Sequence, residues 1–216
     1  EEAVAQLREK SPLGPSQVVI TFDDGYEDNY HVAFPILKAK KLPATVFLLT
    51  EGKGPDRWLS HLWKDPSPQD RLLQWEQVRE MRRSGIEFGS HGRGHVRLRE
   101  LTPAEIREEV VSSKAKIESE ISQKVRFFSY PYGTSIDFDG SSERLVQEAG
   151  YEAAFSALFG GNRRGGGLFS LRRIGIEASD SLFTFQAKLN GALALLFIFD
   201  LRPVRKLIRV VDSILL

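Results

Sequence analysis

The sequence predicts an α/β fold built around a mostly parallel sheet. Short apolar runs typical of buried strands alternate with longer segments of helical periodicity, and this alternation indicates repeated βαβ units. The length of 216 residues suits a single domain with one sizeable core. We therefore interpret residues 1–216 as one domain, and no internal repeat is evident.

The strands are predicted from short runs of apolar residues. Turn residues bound several of these runs, and Gly25 ends the first of them. The predicted strands are residues 18–20, 43–50, 86–91, 125–130, 151–156 and 168–176.

The segments between the strands have helical spacing. The clearest helix start is Thr102-Pro103-Ala104-Glu105, a capping box with proline at the first helical position. The charged residues of the long helix that follows are interpreted as a solvated face. Pro35 is expected to mark an early turn or a kink in the first of these helices. The predicted helices are residues 28–41, 72–84, the long helix from 103 onward, and 141–149.

Two further stretches do not follow the alternation. Residues 51–70 are rich in Gly, Pro and Asp and are predicted to form a long loop. Trp58 and Trp63 in that loop either stack on a sugar ring or, as is commoner for tryptophan, anchor the core. Residues 201–216 form an amphipathic, basic C-terminal tail. We favour packing of this tail against the protein over contact with a membrane surface.

The composition excludes several classes of protein. A hydrophobic fraction of 41% and a charged fraction of 27% are ordinary for a soluble globular protein. The formal net charge of +1 lacks the basic excess expected of a nucleic-acid-binding protein. Because there is no cysteine, any metal must be held by histidine and carboxylate. The chain starts at Glu1 and reads as part of a longer protein, so the lack of a signal peptide does not argue against secretion.

Two adjacent carboxylates, Asp23 and Asp24, follow the first predicted strand. Where a strand breaks into a loop, both side chains can reach one cleft. The pair then suits a site in which one carboxylate binds a metal and the other handles protons. The alternative is that both residues only form a turn and cap the following helix, since aspartate favours both roles.

Two of the four histidines, His91 and His95, directly follow the third predicted strand. The i, i+4 spacing allows both to face one metal, and the intervening glycines allow a loop to do the same. The alternative interpretation is that His91 and His95 are ordinary loop or surface histidines that bind no metal. The combination with Asp23 and Asp24 favours the metal site over this alternative. The aspartate pair and the histidine pair both follow strands, where an α/β barrel places its active-site loops. Two imidazoles and one carboxylate leave coordination positions open, as a hydrolytic site requires.

Three motifs, in this order, carry a resemblance to a known family. They are Thr21-Phe22-Asp23-Asp24-Gly25, Ser90-His91-Gly92-Arg93-Gly94-His95 and Tyr130-Pro131-Tyr132-Gly133. Over about residues 18–176 the chain resembles polysaccharide deacetylases of the NodB-homology type, carbohydrate esterase family 4. The resemblance implies a distorted (β/α) barrel, incomplete here at the N-terminus. The third motif is similar to that of the branch that deacetylates bacterial poly-N-acetylglucosamine exopolysaccharides.

The resemblance implies roles for the residues of the first two motifs. Asp23 would be the general base. Asp24, His91 and His95 would bind one divalent metal ion, for which zinc is preferred and Co²⁺, Ni²⁺ and Fe²⁺ are alternatives.

The resemblance also implies roles for the third motif. Tyr132 would donate its backbone N–H to the oxyanion of the tetrahedral intermediate, which requires a preorganised donor. Pro131 would fix the approach of that backbone, and Pro131 and Tyr130 would form part of the substrate-binding surface. An ordinary turn after a strand is the alternative interpretation of these residues.

Three departures from the family pattern stand out. Ser129 occupies the position where many members have an arginine that pairs with the catalytic aspartate, and Arg172 or Arg173 is a candidate replacement. The fourth motif is not recognisable around residues 176–185. The family's C-terminal Leu-x-His motif, whose histidine is the general acid, has no counterpart, because no histidine follows His95. In the poly-N-acetylglucosamine branch an N-terminal segment supplies the acid, which would lie upstream of Glu1.

The sequence therefore predicts a metal-dependent hydrolase that removes N-acetyl groups from N-acetylglucosamine units of a polysaccharide, in the cell envelope or outside the cell. An O-acetyl esterase acting on a glycan such as xylan would use the same site. A catalytically impaired carbohydrate-binding domain is a second alternative, because the arginine and the acid are missing from their usual places. A non-haem iron oxygenase also uses two histidines and one carboxylate, but the second carboxylate argues against it.

Overall fold

The computed structural model describes residues 2–8, 17–51 and 71–191, together with the single positions 200, 201 and 203. Most of the loop predicted at residues 51–70 and most of the tail predicted at residues 201–216 lie outside these residues.

Six strands form one parallel sheet in which the spatial order follows the chain order. This order is that of a (β/α) barrel, whereas a doubly wound sheet reverses its strand order at a switch point. The sheet curls into a half-barrel, so that Arg173 in the last strand contacts Asp23 just after the first. The predicted α/β fold with a distorted barrel is confirmed. The strands are β1 (Ile20–Phe22), β2 (Ala44–Leu48), β3 (Glu87–Ser90), β4 (Phe127–Ser129), β5 (Ala153–Phe159) and β6 (Leu171–Arg173).

The ends of the sheet differ from the predicted strand boundaries. β1 starts at Ile20, where its pairing with β2 begins, and Val18 and Val19 are exposed. The prediction of residues 18–20 is therefore two residues too early. β6 contains only Leu171–Arg173 of the predicted 168–176, because its pairing with β5 is interrupted by an irregularity. At the two edges of the sheet, a run of apolar residues thus predicts that a strand is present but not which residues form its hydrogen-bonded pairs.

Helices lie between most of the strands. The predicted helix 28–41 starts as a π-helical turn, Asn29–Ala33, and continues as an α-helix with Pro35 in its first turn, where proline interrupts no helical hydrogen bond. The predicted capping box is present, with Thr102 and Glu105 bonded reciprocally. Within the described part of the chain, no helix is both long and apolar enough to cross a membrane. The α-helices are α1 (Glu2–Arg8), α2 (Phe34–Lys40), α3 (Trp75–Arg83), α4 (Pro103–Ile121), α5 (Gly140–Glu148) and α6 (Leu182–Leu189).

Alternate residues of the strands pack into two separate hydrophobic clusters. Val46 of β2 and Phe128 of β4 belong to the larger cluster, which also contains the buried stripes of α2 to α5. Their chain neighbours Phe47 and Phe127 belong to a smaller cluster, which Val4 of α1 joins. Successive strand residues point to opposite faces, so one face of the sheet packs on the helices while the other carries a thin apolar layer. The candidate site lies at the carboxyl ends of these strands.

We expect Gly89→Ala to lower the free energy of unfolding by about 1–3 kcal/mol, the usual range for overpacking a core. A Cβ at Gly89 would lie 2.5 Å from Cδ1 of Phe47 and 2.9 Å from the carbonyl oxygen of Phe127. Urea unfolding measures the change. Gly140→Ala, at the first residue of α5, is the matched control, since its Cβ would meet nothing within 4 Å. Equal unfolding free energies for the two variants would contradict the packing described around Gly89.

Candidate metal and catalytic centre

The first motif forms a turn at the carboxyl end of β1. Asp24 has a φ of +68° and Gly25 a φ of +72°, and the Gly25 N–H donates to the Asp23 carbonyl oxygen at 2.8 Å. Glycine suits position 25, because φ is positive there and a Cβ would lie 2.6 Å from Cδ2 of Leu48. The N-cap position of the next helix is occupied by Asp28 and not by Asp23 or Asp24. The turn therefore directs the carboxylates to the end of the sheet.

Asp24, His91 and His95 form a cluster with the composition of a metal site. One ligand atom from each residue lies within 4.8 Å of the other two. Oδ1 of Asp24 is 3.4 Å from Nε2 of His91 and 3.5 Å from Nε2 of His95. This oxygen is buried and accepts no hydrogen bond from the described residues. A buried carboxylate oxygen facing two imidazole nitrogens fits a divalent cation that all three residues would bind.

The tautomer of His91 suits metal binding. His91 follows β3 and is 2% exposed, and its Nδ1 lies 2.7 Å from the carbonyl oxygen of Ser129. Because a carbonyl only accepts hydrogen bonds, Nδ1 carries a proton. In the neutral imidazole the lone pair is then on Nε2, the atom that faces Asp24. A hydrogen bond to the second ring nitrogen is the usual device by which proteins orient a histidine ligand.

Glu109 of α4 holds the loop between the two histidines. Its Oε2 accepts hydrogen bonds from the backbone N–H groups of Arg93 at 2.8 Å and of Gly94 at 3.2 Å. His95 has a φ of +53°, in a region that costs a non-glycine residue free energy. The prediction that the charged residues of this helix form a solvated face is therefore wrong for Glu109. Nothing in the sequence distinguishes Glu109 from the neighbouring Glu108, whose side chain is exposed.

Arg173 of β6 uses all five of its N–H groups inside the curled sheet. Two nitrogens form a bidentate pair with Asp23, at 2.8 Å to Oδ1 and 2.6 Å to Oδ2. The other N–H groups donate to Oγ1 of Thr21 at 3.3 Å, Oγ of Ser129 at 3.0 Å and the carbonyl of Ser156 at 2.8 Å. Ser129 is the residue that stands where many family members have arginine. The guanidinium here comes from a different strand and reaches the same aspartate.

The surroundings of Asp23 keep its carboxyl group ionised. Burial raises its pKa, but the charges of His91 and Arg173, with hydrogen bonds from Arg173 and Ser129, outweigh burial and lower the pKa to about 2. Burial lowers the pKa of His91, whereas the charges of Asp23 and Asp24 raise it above its ordinary value. Asp23 is therefore a proton acceptor throughout the neutral pH range.

The other arginine proposed as a charge partner, Arg172, does not contact Asp23. It points to the opposite side of β6, where it donates to the carbonyl oxygen of Phe159 at 3.0 Å and lies 3.8 Å from the carboxylate of Asp200. Adjacent strand residues face opposite sides of the sheet, so only one of the two arginines reaches the inside. The assignment of Arg172 as a partner of the base is corrected in favour of Arg173.

Three of the four residues of the third motif are buried, and Tyr132 is half-buried. Tyr130 is 1% exposed and its hydroxyl donates to the carbonyl oxygen of Phe169 at 2.8 Å, so the assignment of its side chain to the substrate-binding surface is corrected. Pro131 is also buried, and its carbonyl accepts the N–H of Gly133 at 2.7 Å. Tyr132 has a φ of +60°, and its ring centroid lies 4.5 Å from that of His95. The motif therefore places Tyr132 beside the histidine cluster.

Comparison with known proteins identifies the family. Residues 10–154, more than half of the chain, match the family described as polysaccharide deacetylase. The chain belongs to the polysaccharide deacetylase family. The resemblance that the three motifs indicate is thus confirmed.

Two relatives and one solved structure illustrate the similarity. The chain is 29% identical over 191 residues to YxkH of Bacillus subtilis, an alignment that covers 88% of this chain and 62% of YxkH. It is 28% identical over 231 residues to the poly-β-1,6-N-acetyl-D-glucosamine N-deacetylase of Escherichia coli, covering 85% of this chain and 32% of that enzyme. The structure of IcaB from Ammonifex degensii is 26% identical, with a TM-score of 0.69, and the match covers 87% of this chain and 78% of IcaB.

The match is therefore to part of each relative. The chain spans less than two thirds of the length of YxkH and about a third of the Escherichia coli enzyme.

We expect Glu109→Ala to weaken metal binding about 10- to 100-fold, the range seen when a residue that orients metal ligands is lost. Without Glu109 the Arg93 and Gly94 N–H groups lose their acceptor, and the loop that carries His95 is free to relax. Competition with a zinc-chelating dye measures the affinity. Glu148→Ala is the control, because the side chain of Glu148 contacts Arg107 on the surface and not this loop. Equal metal affinity in both variants would show that Glu109 does not hold the loop.

Proposed function

We propose that this chain hydrolyses the N-acetyl groups of N-acetylglucosamine units in a polysaccharide, which releases acetate and leaves a free amine. The observation that carries the proposal is the juxtaposition of an ionised carboxylate, Asp23, with the cluster of Asp24, His91 and His95. Membership of the polysaccharide deacetylase family and similarity to the Escherichia coli N-deacetylase support it.

Asp24, His91 and His95 would hold one divalent ion. Two imidazoles and a carboxylate suit zinc first, and Co²⁺, Ni²⁺ and Fe²⁺ favour similar ligands. When bound, such an ion polarises an acyl oxygen and lowers the pKa of a water molecule.

Two groups of this chain would supply the general base and the oxyanion donor. Asp23 accepts the proton of the attacking water, and the bidentate contact with Arg173 fixes the orientation of its carboxylate. The backbone N–H of Tyr132 donates to the oxygen on which negative charge develops. Asp23 follows β1 and Tyr132 follows β4, so both residues lie at the same end of the sheet as the histidine cluster.

The glycan we propose is a β-1,6-linked poly-N-acetylglucosamine, on the basis of the Escherichia coli relative. A substrate of this kind would place the protein in the cell envelope or outside the cell. Trp58 and Trp63, the tryptophans considered for sugar stacking, lie outside the described residues.

We expect the full-length protein that contains this chain to release acetate from β-1,6-linked N-acetylglucosamine oligosaccharides when loaded with zinc. Asp23→Asn is expected to lower kcat by about 10²- to 10⁴-fold, the usual contribution of a general base, while metal content is retained. Asp24→Ala is expected to lose both the metal and the activity. Acetate assays and elemental analysis of the same samples measure the two effects.

Two outcomes of this experiment would overturn the proposal. Release of acetate from acetylated xylan but from no N-acetylated oligosaccharide would indicate an O-acetyl esterase. Glycan binding with no acetate release from any substrate would indicate a carbohydrate-binding domain. Retention of full metal content by Asp24→Ala would contradict the assigned ligands even if acetate were released.

We expect Arg173→Lys to lower kcat about 10- to 100-fold, as losses of residues that orient a reacting group usually do. A lysine keeps the positive charge but has no planar fork to hold both oxygens of Asp23. Arg172→Lys, one residue away and on the outer side of β6, is the control and should leave kcat unchanged. Equal losses for the two variants would show that the bidentate contact is not their cause, because only Arg173 makes it.

A further inference from the structure

Three side chains form a stacked row at the edge of the site. The guanidinium carbon of Arg97 lies 3.6 Å from the ring centroid of Tyr132, which lies 4.5 Å from the ring centroid of His95. Arg97 and His95 belong to the loop after β3, whereas Tyr132 belongs to the loop after β4. A guanidinium at this distance from an aromatic ring is attracted by its π-system, and the attraction is stronger where water is excluded.

Asp137 fixes the position of Arg97. Its side chain is 2% exposed, and Oδ1 accepts from Nε of Arg97 at 2.8 Å. The other oxygen, Oδ2, accepts from the backbone N–H of Thr134 at 2.9 Å and from its hydroxyl. The Asp137 carbonyl also accepts the N–H of Arg99 at 2.9 Å. A buried carboxylate with its oxygens bonded in this way ties the two loops into one unit.

Tyr132 is a residue that needs such support. A non-glycine residue at a φ of +60° is strained and persists only where its surroundings impose this conformation. The turn around Tyr132 is held by two backbone hydrogen bonds: the Gly133 N–H donates to the Pro131 carbonyl at 2.7 Å, and the Gly133 carbonyl accepts the N–H of Ala157 in β5 at 2.8 Å. The row with Arg97 and His95 holds the side chain.

We propose that Arg97, held by Asp137, is a positioning residue for deacetylation that fixes Tyr132 so that its backbone N–H points to the developing oxyanion. The inference rests on the proposed function. Arg97 touches neither base nor substrate in this assignment, so its effect has to pass through the ring of Tyr132. An effect of Arg97 that depends on the Tyr132 ring would indicate positioning, whereas a general contribution to folding would not depend on this ring.

A double-mutant cycle on the full-length, zinc-loaded protein tests the proposal. Arg97→Gln is expected to lower kcat about 10- to 100-fold with KM and metal content little changed, because an oxyanion contact acts only in the transition state. Tyr132→Ala keeps the backbone N–H but removes the ring, and is expected to cause a similar loss. In the Tyr132→Ala background, Arg97→Gln should then change kcat by less than about twofold, since the two residues act as a unit. In the Tyr132→Phe background, which retains the ring, Arg97→Gln should keep its full effect on kcat.

Controls separate positioning from stability. Arg107→Gln removes an arginine whose 2.8 Å contact with Glu148 is on the surface, and kcat should not change. If Arg97→Gln does not fold, Arg97→Lys keeps a charge beside Asp137 while it removes the planar stack, and the same loss of kcat is expected.

Additive effects of Arg97→Gln and Tyr132→Ala on kcat would overturn the inference while the proposed function stands. A fall in melting temperature with no fall in kcat would overturn it too. Absence of acetate release by the unmodified protein would instead contradict the proposed function itself.

Discussion

The contact between Arg173 and Asp23 connects the last strand of the sheet to the first. It also holds the carboxylate that we propose as the general base. Arg173 lies in β6 and Asp23 directly follows β1, so the pair forms only when the sheet curls. The same guanidinium also donates to Thr21, Ser129 and Ser156, which lie on three different strands. A largely buried arginine with all five N–H groups bonded is strongly constrained in position. The orientation of the Asp23 carboxylate is therefore a property of the curled sheet and not of the Asp23 loop alone.

Backbone strain is concentrated in the same part of the molecule. Five non-glycine residues of the described chain have a positive φ, and two of them, Lys41 and Ser122, end helices, where this conformation is common. The other three, Asp24, His95 and Tyr132, each follow the carboxyl end of a different strand and meet in the candidate site. Other residues support each strained turn. Gly25 packs on Leu48 beside Asp24, Glu109 binds the loop that carries His95, and Arg97 stacks on the ring of Tyr132. Strain that is supported in this way suits a site whose donors must be in place before substrate arrives.

The sequence predicts those parts of the structure that depend on local pattern. The strand and helix alternation, the capping box, and the meeting of Asp24 with His91 and His95 follow from apolar periodicity and from motifs at strand ends. The supporting residues do not follow, because Glu109 and Asp137 resemble ordinary surface acids and their partners lie 15 to 40 residues away in the chain. Likewise, alternation dictates that Arg172 and Arg173 face opposite sides, but which one faces inward depends on a register that the sequence does not display.

The arginine that contacts Asp23 comes from β6, whereas β4 has Ser129 at the position where many family members have arginine. This difference bears on whether the site is catalytically impaired. Read from motifs alone, serine at position 129 suggests a missing charge beside the base. In the structure Ser129 is fully buried, and its hydroxyl accepts a hydrogen bond from the guanidinium of Arg173. An arginine side chain at position 129 would compete for the space and for the aspartate that Arg173 already occupies. The small residue in β4 and the arginine in β6 thus belong to one arrangement, which delivers a bidentate arginine contact to Asp23 from β6. The absence of the motif arginine is therefore no argument against catalysis at this site.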